Sequence, residues 1–194
     1  SNSIDYYGEI NPLEDGGLLI CGYNSAIVGA DKTEANIGSN DYWLLKLNAD
    51  GNIVWDEVIG GTSGDNALSA IQTPDLGILI SGQSKSDISG DKIEMSNGSS
   101  DFWVVKTDSL GVVQWQNTIG GGNFEYLNSI SQIPDGGYTL GGFSDSDISG
   151  DKTENSRGGL DYWIVKIDSV GVVLWESTFG GNYWDRLRSI ARTS

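Results

Sequence analysis

The 194-residue sequence contains no histidine, one cysteine and only three prolines. Without histidine the chain cannot use Ser-His-Asp or Cys-His catalysis, His-ligated zinc or haem, or a histidine pH switch. Its one cysteine, Cys21, excludes an intrachain disulfide and a Cys-x-x-Cys site. These absences remove several of the commonest catalytic and metal-binding chemistries.

Positive charge is also scarce, with 11 Lys and Arg against 27 Asp and Glu and a net charge of −16. Binding to nucleic acid depends on Lys and Arg that neutralise phosphates, so we expect no nucleic-acid partner. An anionic membrane surface is disfavoured for the same reason. No stretch approaches the ~18 consecutive apolar residues of a membrane span, so we also expect no membrane insertion.

The sequence is rich in glycine, with 28 residues, and it repeats with a period of 60 residues without insertion or deletion. Six of the seven tryptophans fall in two fixed registers of this repeat. The most regular positions are Asp41-Tyr42-Trp43, Asp101-Phe102-Trp103 and Asp161-Tyr162-Trp163; Trp55, Trp115 and Trp175; and Gly60-Gly61, Gly120-Gly121 and Gly180-Gly181. An internal repeat of this length organises the whole fold.

Each repeat predicts four short strands, because runs of β-branched and aromatic residues alternate with Gly, Asp, Asn and Ser. In the second repeat the predicted strands A, B, C and D cover residues 68–73, 77–83, 101–108 and 112–118. A polar loop of about 17 residues separates strands B and C. No window has the 3.6-residue apolar period of a helix.

Strand C carries apolar residues on both faces, which predicts that each sheet is covered on both sides by its neighbours. We therefore predict an all-β protein, a β-propeller made of four-stranded antiparallel blades. A parallel β-helix is the second choice, and tandem immunoglobulin domains fit poorly. The whole chain, 1–194, is predicted to be one repeat region, with repeats at 5–64, 65–124 and 125–184 and the start of a fourth at 185–194.

The number of predicted strands does not complete a ring. Strands B, C and D occur three times, whereas strand-A-like segments occur four times, at 7–13, 68–73, 127–133 and 187–193. Propellers usually have at least four blades, and open ends would expose apolar faces. We favour a piece of a longer repeat array, and a homodimer of two such halves is one way to close a six-bladed ring.

Three strings carry a resemblance to a known family: Gly120 to Glu125, Ser129 to Tyr138, and Asp161 to Asp168. They resemble the bacterial β-propeller repeats of large secreted or surface proteins, which are common in Bacteroidetes. The resemblance implies export, an extracellular or cell-surface location, and attachment or ligand binding, with a glycan or a surface protein as partner. The family has no shared activity that could be transferred to this chain.

The loops between strands B and C are the best candidates for a metal site. They place oxygen donors at alternate positions around a glycine, as Ca²⁺ requires, which predicts a structural calcium site. The alternative is that these carboxylates form Asx-turns, pair with lysine or cap backbone amides. In the first repeat Ile27 replaces the first aspartate. The candidate ligands are Asp87, Asp91, Glu94, Asp145, Asp147, Asp151 and Glu154.

Trp184, Arg186 and Arg188 do not follow the repeat, and they are the predicted ligand-binding residues because Trp and Arg are enriched at binding hot spots. Packing at a junction between blades is the alternative. The Asp-aromatic-Trp triplets could stack on a sugar, although packing between blades suits a feature of every repeat better. The lysines of strand C are expected to pair with the first aspartate of that strand or to reach solvent. They are Lys46, Lys106 and Lys166.

The sequence therefore favours a non-enzymatic extracellular binding or structural module. The competing hypothesis is a carbohydrate-active hydrolase or lyase, since glycoside hydrolysis needs only two suitably spaced carboxyl groups. A catalytic pair usually breaks a repeat, whereas most acidic residues here follow it, and this observation counts against an enzyme.

Overall fold

The computed structural model describes residues 5–25 and 28–191. This part of the chain forms twelve strands in three four-stranded antiparallel sheets, and no helix occurs within it. Ile27 and the end of the fourth strand-A-like segment, residues 192 and 193, lie outside the described residues.

Each sheet comes from one repeat. Sheet 1 contains β1 (Asp5–Pro12), β2 (Leu18–Asn24), β3 (Asp41–Leu47) and β4 (Ile53–Ile59). Sheet 2 contains β5 (Asp65–Gln72), β6 (Ile78–Ser84), β7 (Asp101–Thr107) and β8 (Val113–Ile119). Sheet 3 contains β9 (Glu125–Gln132), β10 (Tyr138–Ser144), β11 (Asp161–Ile167) and β12 (Val173–Phe179).

Consecutive strands are hydrogen-bonded neighbours in every sheet, so each sheet is a simple meander. The predicted strands B, C and D agree with the structure to within one residue at either end. Strand A of sheet 2 begins three residues earlier than predicted, at Asp65, and it contains a bulge between Ala67 and Ser69. The prediction of an all-β protein of four-stranded sheets is confirmed.

The three sheets stack in chain order, and an apolar core fills each of the two spaces between them. We call the side of a sheet that faces the preceding sheet its front face and the other side its back face. At the first junction the Tyr42 ring lies 4.9 Å from the Trp103 ring, and at the second Phe102 lies 4.8 Å from Trp163. The aromatic triplets therefore serve packing between sheets, as predicted.

Among the described residues only sheet 2 is covered on both faces, and every residue of β7 is buried. The prediction that each sheet is covered on both sides is confirmed for sheet 2, while the described residues cover each outer sheet on one face. Tyr42 is 0% exposed on the back of sheet 1, whereas its counterpart Tyr162 on the back of sheet 3 is 38% exposed. Likewise Ile59 is 1% exposed and Phe179 is 50% exposed. The outer faces have the same apolar pattern as the inner ones, but no described residues form a sheet against them.

The predicted fourth strand A is not a strand in the described part of the chain. Residues 185–190 nevertheless lie on the back of sheet 3 as an innermost strand should. The Ile190 amide donates to Ser129 Oγ at 3.3 Å, as the Ile130 amide donates to Ser69 Oγ at 3.4 Å. Leu187 and Ile190 also lie against Gly141.

Candidate functional site

The strand ends that precede the long loops form one edge of the stack, which we call the loop edge. It carries the loops between strands B and C and the glycine-rich connections that follow strand D. These connections begin at Gly60, Gly120 and Gly180, and the loops cover residues 25–40, 85–100 and 145–160. All the site residues predicted from the sequence lie on this edge.

Two of the predicted calcium ligands join neighbouring sheets. The Asp91 carboxylate accepts the Gly60 amide at 3.1 Å, while the Asp91 amide donates to the Gly60 carbonyl at 2.8 Å. Asp151 makes the same two contacts with Gly120 at 3.0 and 2.9 Å. Burial raises the pKa of both aspartates. These contacts match the alternative in which the carboxylates cap backbone amides.

The other predicted ligands are dispersed along the same loops. Glu94 and Glu154 accept backbone amides of their own sheets, from Thr118 and Thr178 respectively. Asp87 accepts the Ser96 amide at 3.3 Å. In the described residues no three acidic or sulfur side chains come together as a metal site would need. The calcium prediction stays a prediction, which titration calorimetry with millimolar Ca²⁺ would test.

The remaining two predicted ligands lie on the surface of the third loop. Asp145 accepts the Phe124 amide at 2.9 Å, and it therefore fixes the start of the chain segment that leads into β9. Asp147 is exposed, and its carbonyl oxygen accepts the Ser149 hydroxyl at 2.8 Å.

The lysines of strand C pair with a different aspartate from the one predicted. Lys106 Nζ lies 2.9 Å from Asp75, in the turn between strands A and B. Lys166 pairs in the same way with Asp135. The first aspartate of the strand is instead turned toward the loop, where Asp101 accepts the Asn97 and Gly98 amides at 2.9 and 3.4 Å. Asp101 lies at the start of strand C and Lys106 lies near its end, so the two side chains have different partners.

Most positive charge in the described part of the chain is neutralised or buried. Three lysines are buried beneath the loops: Lys32, Lys92 and Lys152. Three more pair with turn aspartates: Lys46, Lys106 and Lys166. Arg157 lies 3.8 Å from Glu154. Among the described residues this leaves Lys85, Arg186 and Arg188 without an ion pair, and the two arginines are close together.

Arg186 and Arg188 line a surface groove of about 300 Å³ at the inner end of the loop edge. We call it the aromatic–arginine groove. Its other lining residues are Phe124, Tyr126, Asn128, Phe143 and Leu160. The structure therefore brings two of the three predicted ligand residues into one concave site.

An aromatic cluster forms the wall of this groove. The Tyr126 and Phe143 rings are stacked with centroids 5.2 Å apart, and Phe124 lies 6.1 Å from Tyr126. Burial raises the pKa of the Tyr126 hydroxyl. The Arg186 guanidinium lies 5.7 Å from the Phe143 ring. A guanidinium that stacks on a ring can still donate from its edge to a carboxylate or sulfate.

Trp184 borders the groove rather than lining it. Its ring lies 4.8 Å from the Arg186 guanidinium and remains 69% exposed. The segment is positioned by Asp185, whose amide donates to the Leu160 carbonyl at 2.6 Å and whose carboxylate accepts the Gly181 amide at 2.7 Å. The third predicted ligand residue is thus part of the same cluster.

Sequence reasoning missed the aromatic wall of the groove. Tyr126 and Phe143 occupy repeat positions that hold Asn66 and Gln83 in sheet 2. This departure from the repeat could have identified them, because Trp184 was also chosen for not following the repeat. The first repeat hides it, since Tyr6 and Tyr23 also form a stacked pair there.

Fold and site together define a class: an all-β protein of stacked, repeated four-stranded sheets with a polar loop edge. Within the described residues no helix is long and apolar enough to cross a membrane. No protein-family model matches the chain, and no curated protein sequence matches it.

One acidic side chain at the junction between sheets 1 and 2, that of Glu57, is partly buried near other carboxylates. The Glu57 carboxylate lies beside Gly111, and burial together with Glu34 and Asp91 raises its pKa to about 7. At the next junction the equivalent residue is Asn117, whose amide donates to the Gly171 carbonyl at 2.6 Å. The repeat itself therefore indicates which residue suits this position.

We expect Glu57→Asn to stabilise the protein at pH 8. A folded-state pKa raised from 4.5 to about 7 makes wild-type stability rise as the pH falls from 7 toward 4.5. Solvent screening of this half-buried group reduces the expected gain at pH 8 to about 1 kcal/mol. Urea unfolding at pH 8 and pH 5 should show the gain mainly at pH 8. An equal effect at both values, or the same pattern in the exposed control Asp50→Asn, would contradict this explanation.

Proposed function

We propose that this chain is a non-enzymatic β-propeller module that binds an anionic ligand in the aromatic–arginine groove. The observation that carries the proposal is the position of Arg186 and Arg188. They are unpaired cations in the described part of a strongly acidic chain, and they lie beside stacked aromatic rings. The three stacked meanders support the propeller architecture, and the extracellular setting rests on the resemblance.

The groove suits a ligand that combines a carboxylate or sulfate with a ring. Guanidinium groups form charge-assisted hydrogen bonds with such anions, and aromatic rings offer flat apolar area for stacking. An acidic polysaccharide has both features. At physiological salt, carboxylates that lie farther from the groove than the Debye length of about 8 Å are largely screened.

The alternative, a carbohydrate-active hydrolase or lyase, has less support. The residues that line the groove in the described part of the chain include no carboxylate. Retaining or inverting hydrolysis usually requires two carboxyl groups roughly 5–10 Å apart across the scissile bond. The absence of such a pair at the groove favours binding over chemistry there.

Binding is tested by titration calorimetry with an acidic polysaccharide, and a neutral polysaccharide serves as the ligand control. We expect the double variant Arg186→Gln/Arg188→Gln to bind ~10- to 100-fold more weakly, the loss typical of charge-assisted hydrogen bonds. Arg157→Gln, which removes a different exposed arginine, should bind like wild type. Unchanged affinity in the double variant would refute the site. Release of reducing sugar would favour the hydrolase.

A further inference from the structure

The front of sheet 1 and the back of sheet 3 are the two open faces of the stack. They correspond to the two sides of the sheet-to-sheet interface that occurs twice within the chain. The front of sheet 1 presents Ile20, Trp43, Leu45 and Ile53 around a surface groove. Their counterparts on sheets 2 and 3 are packed against the back of the preceding sheet. The back of sheet 3 in turn presents the counterparts of residues that are buried at both internal junctions.

We propose that the back of sheet 3 binds the front of sheet 1 of a second copy, head to tail, so that two copies close a six-sheet ring. The partner is a second copy because the front of its sheet 1 carries the counterparts of the residues that sheets 2 and 3 bury at the internal junctions. A ring of two copies repeats this contact twice and leaves no face open. The inference does not rest on the ligand of the aromatic–arginine groove, although Arg186 and Arg188 belong to residues 185–190, which lie at the new junction.

The aromatic contact at the new junction can be specified from the internal ones. Tyr42 packs on Trp103, and its hydroxyl donates to the Trp103 carbonyl at 3.0 Å. Tyr162 occupies the same position on sheet 3 and carries the same hydroxyl. In the ring it packs on the partner's Trp43 and donates to that residue's carbonyl.

The polar contact follows the same rule. At each internal junction an aspartate of the following loop binds the first glycine after strand D: Asp91 binds Gly60, and Asp151 binds Gly120. The corresponding pair across the new junction is Gly180 and the partner's Asp31. Asp31 already borders the open groove on the front of sheet 1.

Residues 185–190 affect which strand lies innermost when the partner's sheet 1 packs on the back of sheet 3. They occupy the back of sheet 3 in the way that β5 and β9 occupy the backs of sheets 1 and 2. The partner's β1 would need the same space. We therefore expect residues 185–190 to pair with the partner's β2 and to displace the partner's β1. Ser189 then faces the partner's Cys21, because Ser69 faces Ser81 in sheet 2.

The first test is the molar mass in solution, measured by light scattering across a range of concentrations. We expect twice the 20.8 kDa of one chain. Phe179→Glu and Ile53→Glu place a charge on the back and front faces, at side chains that are already 50% and 43% exposed, so each variant should fold. Each is expected to raise the dimer dissociation constant at least ~30-fold. Leu110→Glu, at a 72% exposed residue in the turn between β7 and β8 of sheet 2, is the control.

A mixture of the two variants separates head-to-tail from face-to-face association. In an equimolar mixture one intact junction remains between a Phe179→Glu chain and an Ile53→Glu chain, so a heterodimer should form when neither variant dimerises alone. A wild-type monomer at all concentrations would overturn the proposal. So would a dimer that either variant leaves intact, or a mass that rises beyond two copies.

The strand exchange has its own test, since Cys21 is the sole cysteine of the chain. Paired residues on adjacent strands have Cα atoms about 4.5–5.5 Å apart, within the range of a disulfide. Ser189→Cys should form a covalent dimer under copper–phenanthroline oxidation, and Cys21→Ser/Ser189→Cys should not. A catalyst is needed because burial raises the pKa of Cys21 to about 12. No cross-link in a proven dimer would refute the exchanged strand.

Discussion

Replacing Trp103 with alanine is expected to lower the free energy of unfolding by about 3–5 kcal/mol. The side chain is completely buried at the junction between sheets 1 and 2, where it packs against Tyr42. Its indole N–H also donates to Gln116 Oε1 at 3.1 Å, so the substitution leaves a cavity and removes one of the two hydrogen bonds that this oxygen accepts. Urea unfolding followed by circular dichroism measures the change.

The matched control is Trp184→Ala, which removes the same side chain from a 69% exposed position. We expect a change below about 1 kcal/mol there, because little apolar area returns to water. A loss below about 0.5 kcal/mol for Trp103→Ala, which is typical of surface substitutions, would contradict the packing of sheets through their tryptophans.

The strands could be predicted because the same local signals occur in each of the three repeats. Pro74-Asp75 marks the end of strand A, and Gly111 lies between strands C and D. The structure places both in turns. Gly111 has a φ of 91°, a conformation that glycine adopts without strain. Local turn chemistry of this kind is visible in sequence alone. The strand limits therefore agree closely.

The contacts between sheets could not be predicted, because they join residues about 30 positions apart that become neighbours only after the sheets stack. Asp91 looked like a calcium ligand from its loop, whereas its partner Gly60 belongs to the preceding sheet. Within sheet 2, Lys106 pairs with Asp75, in the turn that precedes the adjacent strand β6, rather than with Asp101. Spacing along the chain identified these residues but not the contacts that they make within the folded chain.

The candidate site was predicted only in part, for a related reason. Arg186 and Arg188 were identified because they depart from the repeat, but the wall that makes them a concave site comes from sheet 3. Tyr126 and Phe143 lie on adjacent strands, and their stacking depends on the register between β9 and β10. A residue list from the sequence cannot supply that register.

Replacing Gly120 with alanine is expected to destabilise the protein by about 3 kcal/mol, although the backbone there needs no positive φ. A Cβ at this position would lie 1.8 Å from Oδ1 of Asp101, and the equivalent approaches at Gly60 and Gly180 are 2.0 and 1.8 Å. Asp101 is buried and cannot withdraw without releasing the Asn97 amide that it holds at 2.9 Å. Overpacking that forces such a shift typically costs 1–3 kcal/mol or more.

Gly122→Ala provides the control two residues further along. There a Cβ would meet only Ser149, at 3.3 Å from the hydroxyl, so we expect a change within about 1 kcal/mol. The double variant Gly120→Ala/Asp101→Ala should cost less than the sum of its single variants, because removing the carboxylate also removes the clash. If the two single losses simply add, or if Gly120→Ala is as mild as Gly122→Ala, then the glycine is not required by Asp101. The close approach between them would then not explain why this glycine recurs in all three repeats.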